Sequence, residues 1–538
     1  MTNSGSLARS LTFTITLLGL AALPAGAAPK INFSTFLGGA GADNVDGLAV
    51  DTDGRAFVLS CTTDPEGYAN GTIALSPNAG EVDLVITRLN RKGKLERSVS
   101  LGGSAFDGCL SIALGPDPHD PTSVLVYVLG STFSKDFPTR DPIQDRCAGT
   151  GGCSGDLTIT ILDADLTEIL FSTYLGGSGR EFSPIFDFKG GLAVDRDGRI
   201  AVAASSESKD YPTRRPTQKR AKGDASAVVS VLEPLPAGGY RVSFSTFLGG
   251  NVKKSLSFGR TVAFGPDGLL VVAGSTDDRR FPALMPLQDR IGGGASDGFV
   301  AVYDLDGASA LGPAGKNRGN RNGDPSLLFS TTLGGREYDA LHDLAVDGSR
   351  AYLTGATLSP DFPTQNPFQP RFGGVADALL IALDLGPTLA TGGAPKVIVS
   401  SFFGGRFDDR GGGIAVDRRG IVHLAGTTFS RDLPTRSAVQ SQCAQHPSST
   451  PDCWDGFVTR FEPIRAGAPP QLRFSSFLGG PGQRGVEAGG DILTGIAVDR
   501  KGASYVVGRT NSSKFPTRRA AQKRKRGIVD GCLTQIKK

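Results

Sequence analysis

Apolar residues in this chain come in short runs, each framed by glycine on one side and aspartate on the other. Gly47-Leu-Ala-Val-Asp51, Gly191-Leu-Ala-Val-Asp195, Gly413-Ile-Ala-Val-Asp417 and Gly495-Ile-Ala-Val-Asp499 are examples. Runs this short are unsuited to a helix and read as buried strands. A second phrase, Phe33-Ser-Thr-Phe-Leu-Gly-Gly39, returns as Phe171-Ser-Thr-Tyr-Leu-Gly-Gly177, Phe244-Ser-Thr-Phe-Leu-Gly-Gly250 and Phe329-Ser-Thr-Thr-Leu-Gly-Gly335. Val399-Ser-Ser-Phe-Phe-Gly-Gly405 and Phe474-Ser-Ser-Phe-Leu-Gly-Gly480 are close copies, and Arg97-Ser-Val-Ser-Leu-Gly-Gly103 is a degraded one. Seven copies spaced about 64 to 85 residues apart mark a repeat architecture.

Within a repeat, the Ala-Val strand ends in a tight turn such as Asp51-Thr-Asp-Gly54 or Asp195-Arg-Asp-Gly198. Aspartate bonds its own backbone in such turns and glycine takes the positive φ. An Asp-x-Asp-Gly string also opens a calcium loop, but the later ligands are missing. A second strand follows, for instance Leu269-Leu-Val-Val-Ala-Gly or Ser504-Tyr-Val-Val-Gly. Then comes a long polar loop carrying Asp136-Phe-Pro-Thr139, Asp210-Tyr-Pro-Thr213, Asp361-Phe-Pro-Thr364, Asp432-Leu-Pro-Thr435 or Lys514-Phe-Pro-Thr517, with Arg280-Phe-Pro-Ala283 as a variant. A glutamine recurs shortly after, at Gln144, Gln218, Gln288, Gln369, Gln440 and Gln522. Proline fixes φ and forces its predecessor extended, so an aromatic ring and a rigid bend can anchor the loop. The third strand usually opens on aspartate, as in Asp83-Leu-Val-Ile-Thr, Asp297-Gly-Phe-Val-Ala and Asp455-Gly-Phe-Val-Thr, and the next Phe-Ser-Thr phrase is the fourth.

Four short antiparallel strands, repeated seven times, predict an all-β chain: a seven-bladed β-propeller of four-stranded blades. The Phe-Ser-Thr-Phe-Leu-Gly-Gly, Gly-Ile-Ala-Val-Asp, Asp-Phe-Pro-Thr and Asp-Gly-Phe-Val phrases resemble the bacterial SBBP repeat family. The resemblance covers nearly all of the chain after its first residues and implies secreted or surface proteins of mostly unassigned activity. Blade 1 departs from the pattern, since residues 62–82 lack a Phe-Pro-Thr unit. The blades are expected at about 43–103, 107–177, 188–250, 258–335, 339–405, 410–480 and 491–538 plus 30–37. The last assignment follows from phase. The chain opens on an outermost strand and stops after a third strand, so Ile31–Leu37 is expected to complete the last blade and close the ring.

The ends and the cysteines change the picture further. Arg9 precedes the apolar run Leu11–Leu23, and Ala25-Gly26-Ala27 supplies small residues for signal-peptide cleavage, so residues 1–28 read as a signal peptide. The protein is then expected in an exported compartment (periplasmic, extracellular or cell-surface), with no transmembrane span in the mature chain and as a monomer. Gly 74 and Pro 33 fall between the apolar runs and read as turns rather than disorder. Export makes disulfides legible. Cys147 and Cys153, and Cys443 and Cys453, bracket loops at the same place in two blades, which suits local staples better than zinc. Cys61, Cys109 and Cys532 lie on expected strands and read as buried apolar residues. With seven cysteines, at least one is unpaired within the chain.

Strand order puts the loops after Gly-Gly and the long Phe-Pro-Thr loops at one face, where binding residues are expected. Around the central opening stand Asp43, Asp107, Glu181, Asp339 and Asp409, with Lys254 and Arg484 in the other two blades. These carboxylates suit a divalent cation or a cationic partner; alternatively each aspartate caps its own turn. Blade 3 carries a basic loop (Arg214, Arg215, Lys219, Arg220, Lys222), and blade 7 another (Arg518, Arg519, Lys523, Arg524, Lys525, Arg526). They suit an anionic glycan or surface, or are solvated charge runs. Nucleic acid is not expected for an exported chain with 57 basic against 53 acidic residues, a net +4. Trp454 is either a binding aromatic or packing over the Cys443–Cys453 loop. His119, His342, His423 and His446 share no motif with a nucleophile, and His423 reads as packed. The reading is a secreted binding or scaffold module for a protein or glycan. Its rivals are a propeller hydrolase or lyase acting on glycans and a purely structural surface protein.

Overall fold

The computed structural model describes residues 28–538 except 69–70, 77–79, 150–151, 182–189, 222, 289–290, 307–324, 392, 445–452 and 482–489. The leader residues and most of the Gly/Asn/Arg-rich insert at 307–326 therefore lie outside the described residues. Seven antiparallel sheets stand in a ring. Blade 2 shows the plan: Asp107–Pro116 innermost, then Val124–Thr132, Asp156–Asp163 and Ile169–Leu175 at the rim. The innermost strands neighbour one another around the axis.

The second and third strands of each blade are buried on both faces, whereas the innermost strands are partly open to the channel. Seven hydrophobic clusters result, one at each blade interface. The cluster between blades 7 and 1, for example, joins Phe33, Tyr505 and Leu533 to Val58 and Leu89.

The ring closes as the phase of the repeats predicts. Lys30–Leu37 is the outermost strand of the sheet built from Asp491–Val498, Ser504–Thr510 and Asp530–Lys537. Its register runs from Lys30 opposite Lys537 to Leu37 opposite Gly531.

The Phe-Pro-Thr loops correct one expectation. They begin and end at the predicted face, but they do not stay there; each descends along the outer edge of its own blade as a strap. The residue after Pro-Thr exchanges backbone hydrogen bonds with the serine of the rim strand: Arg140 with Ser172, Arg214 with Ser245, Leu284 with Ser330, Gln365 with Ser400, Arg436 with Ser475 and Arg518 with Ser34. Rim strands otherwise expose unpaired N–H and C=O groups, so the straps blunt edges that would recruit another strand. The aromatic of each unit is the anchor. Phe137, Tyr211, Phe362 and Phe515 are buried against Tyr174, Phe247, Phe402 and Phe36 of the rim strands.

Blade 1 reaches the same end differently. Ile73–Ala74 pairs in parallel with Val99 and Ser100 of the rim strand, and Tyr68 is buried with its hydroxyl on Ser60 Oγ.

Three disulfides are present. Cys147–Cys153 and Cys443–Cys453 staple their strap loops, with Cα–Cα distances of 5.3 and 5.8 Å. Cys61 and Cys109 are not merely packed: they form a third bridge, from the second strand of blade 1 to the innermost strand of blade 2. Their 48-residue separation hides a contact that exists only because adjacent blades face each other. Cys532 is free and buried.

Removing residues 29–38 would take about five backbone hydrogen bonds worth ~0.5–1.5 kcal/mol each and the burial of Phe33 and Phe36, at ~1.5–3 kcal/mol per ring. The deletion variant is expected to lose several kcal/mol in denaturant unfolding and to form oligomers by light scattering. A variant as stable and as monomeric as the parent would refute this account of closure.

Candidate functional site

Six innermost strands open on a buried polar residue, an acid in all but blade 4; in blade 3 the buried acid Glu181 precedes the described strand Gly191–Val194. Asp43, Asp107, Asp339, Asp409 and Asp491 each accept the N–H of the second glycine of the preceding Gly-Gly pair: Gly39, Gly103, Gly335, Gly405 and Gly480, at 2.6–2.9 Å. A serine two residues past the second strand donates to the same carboxylate, as Ser134 does to Asp107, Ser359 to Asp339 and Ser430 to Asp409. Glu181 takes its hydroxyls from Ser206 and Ser208. Every one of these acids is fully buried. Of the two sequence readings of the ring of acids, turn capping is the one these contacts display.

The acids have partners that the sequence did not reveal. The first glycine of each Gly-Gly pair lies between two carboxylates, one opening the third strand of its own blade and one opening the next blade. Around Gly404 they are Asp377 and Asp409, around Gly334 Asp297 and Asp339, and around Gly479 Asp455 and Asp491. Asp156 with Glu181, Asp83 with Asp107 and Asp530 with Asp43 repeat the arrangement. Between blades 3 and 4 the acids are replaced by Ser226 and Ser257. Burial first, with the like charge opposite adding to it, raises the pKa values of Asp297, Asp377 and Asp43 to about 7. Burial raises Asp107, Asp339 and Asp409 to about 6, and Glu181 to about 9.

The strap glutamine ties this arrangement to the rim. Its Oε1 accepts the first-glycine N–H (Gly38, Gly176, Gly249, Gly334, Gly404 and Gly479) at 3.0–3.2 Å. Its Nε2 donates to the third-strand aspartate through Gln144, Gln369, Gln440 and Gln522. Blade 1, without the glutamine, uses Ser76 Oγ on Gly102 N–H. The aspartate of Asp-Phe-Pro-Thr reaches the preceding blade: Asp136, Asp210, Asp361 and Asp432 accept the N–H of Ser104, Ser178, Arg336 and Arg406.

The central opening is lined by other residues, a correction to the sequence reading. Its cavity of about 230 Å³ touches all seven innermost strands, and its ionisable side chains are Asp46, Arg260, His342 and Asp343. None of Asp43, Asp107, Glu181, Asp339 and Asp409 is in that lining, because the strands start in the packed layer between blades. Asp343 accepts the Ile414 N–H at 2.8 Å, His342 Nδ1 bonds the Gly411 carbonyl at 2.8 Å, and the Arg260 guanidinium lies over Phe258. His342 and Asp343 thus bridge the innermost strand of blade 5 to that of blade 6 as well as facing the channel. Lys254 is exposed; Arg484, Lys222 and His446 lie outside the described residues.

The basic residues of both straps are at the surface: Arg214, Arg215, Lys219 and Arg220 in blade 3, and Arg518, Arg519, Lys523, Arg524 and Arg526 in blade 7. Blades 1 and 2 separate them along the shorter arc, so the two clusters are distinct patches. Lys525 is half-buried and donates to the Gly527 and Ile528 carbonyls. Trp454 lies against Phe429, with ring centroids 4.7 Å apart. His423 is fully buried, bonded to Ser504 Oγ, and its pKa is lowered to about 4 chiefly by burial.

Fold and rim define the class: a seven-bladed β-propeller whose blades are strapped at their outer edges. Residues 485–516 match the family model of the SBBP beta-propeller repeat, so the resemblance read from the motifs holds. No curated protein matches the chain. Similar solved structures include a protein from Lactobacillus plantarum, 11% identical over 91% of this chain and 99% of that one, with a TM-score of 0.38. A Hadza microbial sialidase is 11% identical over 80% of this chain and 66% of its own, at a TM-score of 0.33. A subtype N11 neuraminidase-like protein of A/flat-faced bat/Peru/033/2010 (H18N11) is 9% identical over 95% and 97%, at 0.30.

Two predictions follow from the buried acids. Their folded-state pKa values lie above the ordinary aspartate value of 3.8, so the folded chain holds protons more tightly than the unfolded one. The stability they withhold at pH 8 is therefore recovered as pH falls through 7 and 6 and is fully recovered near 4. His423, lowered to about 4, opposes this below about 6.5 but is one group against many. Melting temperature in low-salt buffer is expected to rise between pH 8 and pH 5; a flat or falling profile contradicts the assignment. Separately, a Cβ on Gly404 would sit 2.8 Å from Asp409 Oδ2 and closer still to Asp377 Oδ1. Gly404→Ala is expected to cost roughly 1–3 kcal/mol, against near-neutrality for Gly152→Ala, where the Cβ meets nothing within 4 Å.

Proposed function

We propose that this chain is a binding scaffold that holds an anionic polymer, a glycan or an acidic protein surface, through basic patches on its rim. The observation behind this reading is a division of labour inside the straps. The Phe-Pro-Thr aromatic, the glutamine and the backbone after Pro-Thr are spent on anchoring in nearly every blade. The residues between them are exposed and differ from blade to blade. At equivalent positions blade 2 carries Arg140, Asp141, Asp145 and Arg146, whose charges cancel, whereas blade 3 carries Arg214, Arg215, Lys219 and Arg220 and blade 7 Arg518, Arg519, Lys523 and Arg524. Exposed side chains that vary on a rigid frame are where recognition resides.

Three disulfides support an oxidising compartment. Among the described residues no helix is long and apolar enough to cross a membrane. The rival enzyme reading would use the channel, but its cavity of about 230 Å³ falls below the ~300–1,000 Å³ of ordinary ligand pockets.

Retention on immobilised heparin tests the proposal. Lys523→Gln with Arg524→Gln, which spares the carbonyl-bonded Lys525, is expected to elute at lower salt and to flatten the salt dependence. Unchanged retention of that variant and of Arg214→Gln with Lys219→Gln would overturn it.

A further inference from the structure

The seam between blades 7 and 1, on the face opposite the strap ends, holds a groove of about 930 Å³. That is near the upper end of what ligand sites occupy. It is walled by the tight turns of both blades and by the Asn90–Gly93 turn of blade 1. Arg91, Lys92, Arg500, Lys501, Arg519 and Lys537 line it, against the acids Asp53 and Asp499. Asp499 is already engaged, since its Oδ1 accepts the N–H groups of Lys501 and Ala503 at 2.9 Å. The cations crowd one another: burial lowers the pKa of Lys537, Asp499 opposes this, and Lys501, Arg519 and Lys30 lower it further. A bound anion would relieve that repulsion. The floor is Tyr505 and Gln535, both buried and held in place, with the Tyr505 hydroxyl donating to Gly54 O at 3.1 Å.

The groove is continuous with the blade 7 strap. From Phe515 the strap descends to Arg518, which pairs with Ser34, and turns at Arg519, where φ is 46°. The Arg519 guanidinium there reaches Asn32 Oδ1, at the groove's edge. The strap then climbs back to Gln522, bonded at Gly38, and presents Lys523 and Arg524 at the opposite face. The rim strand Lys30–Leu37 alongside it has 8 residues, about 26 Å at ~3.3 Å each.

We propose that this groove and the blade 7 strap form one track for a linear acidic polysaccharide, carboxylated or sulfated, with the groove as its primary subsite. The proposal rests on the anionic-polymer reading above and adds where the polymer lies. Charge complementarity selects an anion. A polysaccharide is favoured over single-stranded nucleic acid because the one aromatic in the groove lining, Tyr505, is buried and offers no face for a base to stack on. The blade 3 patch has no part in the track.

Titration calorimetry with size-defined heparin oligosaccharides tests this, using the full chain and three variants checked for unchanged melting temperature. The groove variant is Arg91→Gln, Lys501→Gln and Lys537→Gln; the strap variant is Lys523→Gln and Arg524→Gln; the blade 3 variant is Arg214→Gln and Lys219→Gln. A tetrasaccharide is expected to lose about tenfold or more in affinity with the groove variant and to be unaffected by the other two. A dodecasaccharide, long enough to span the track, should weaken in both groove and strap variants. If the groove variant binds both oligosaccharides like the parent while strap or blade 3 variants lose heparin retention, the track is wrong and the rim-binding reading stands. If the parent binds neither oligosaccharide, both fail. Tighter binding of a single-stranded oligodeoxynucleotide than of the dodecasaccharide would also overturn the assignment to polysaccharide.

Discussion

The structure depends on satisfying the backbone groups at the rim of each blade. A four-stranded sheet packed face to face with its neighbours still has one open edge, and seven such edges would make the ring an aggregation template. The strap removes that liability with a single glutamine amide that acts in two directions. Its oxygen caps the glycine amide where the rim strand ends, and, as at Gln144 and Gln369, its nitrogen holds the aspartate where the third strand begins. Register, edge protection and blade-to-blade geometry therefore share one side chain. Blade 1 supports this reading from the other direction, because it lacks the glutamine and supplies Ser76 to the same kind of amide.

The Gly-Gly phrase follows from the same crowding. Two carboxylates approach the first glycine from opposite sides, and the second glycine donates its N–H to one of them. A side chain there would displace an acid that several hydrogen bonds hold in place. The acids thus serve as connectors between blades, and their burial is the reason they resist ionisation. Where serines replace them, between blades 3 and 4, the packing survives without the charge.

The fold was legible because repetition exposes its own grammar: strand lengths, turns and even the phase of closure can be read by aligning the chain with itself. The candidate sites were less legible, for a physical reason. Asp43 and Asp530 lie far apart in sequence, as do Cys61 and Cys109, and their proximity is a product of ring geometry rather than of any local motif. Arg91, Arg500 and Lys537 look like ordinary surface charges until closure brings them to one seam. The turn capping by Asp409 and the anchoring by Phe362 were both within reach, since each repeats at a fixed offset. The Asp46, Arg260, His342 and Asp343 group was not, because it draws on three different blades and repeats nowhere.

Closure by the strand Lys30–Leu37 also sets the order in which the molecule can be assembled. An open stack of blades gains stability step by step, each unit needing only its neighbour. A ring whose last sheet combines residues near 30 with residues near 530 must hold one strand in reserve until the final blade exists. That contact has very high sequence separation, the kind that slows folding most. Once formed, it converts a row of semi-independent units into one cooperative object, so that opening any blade must strain the rest.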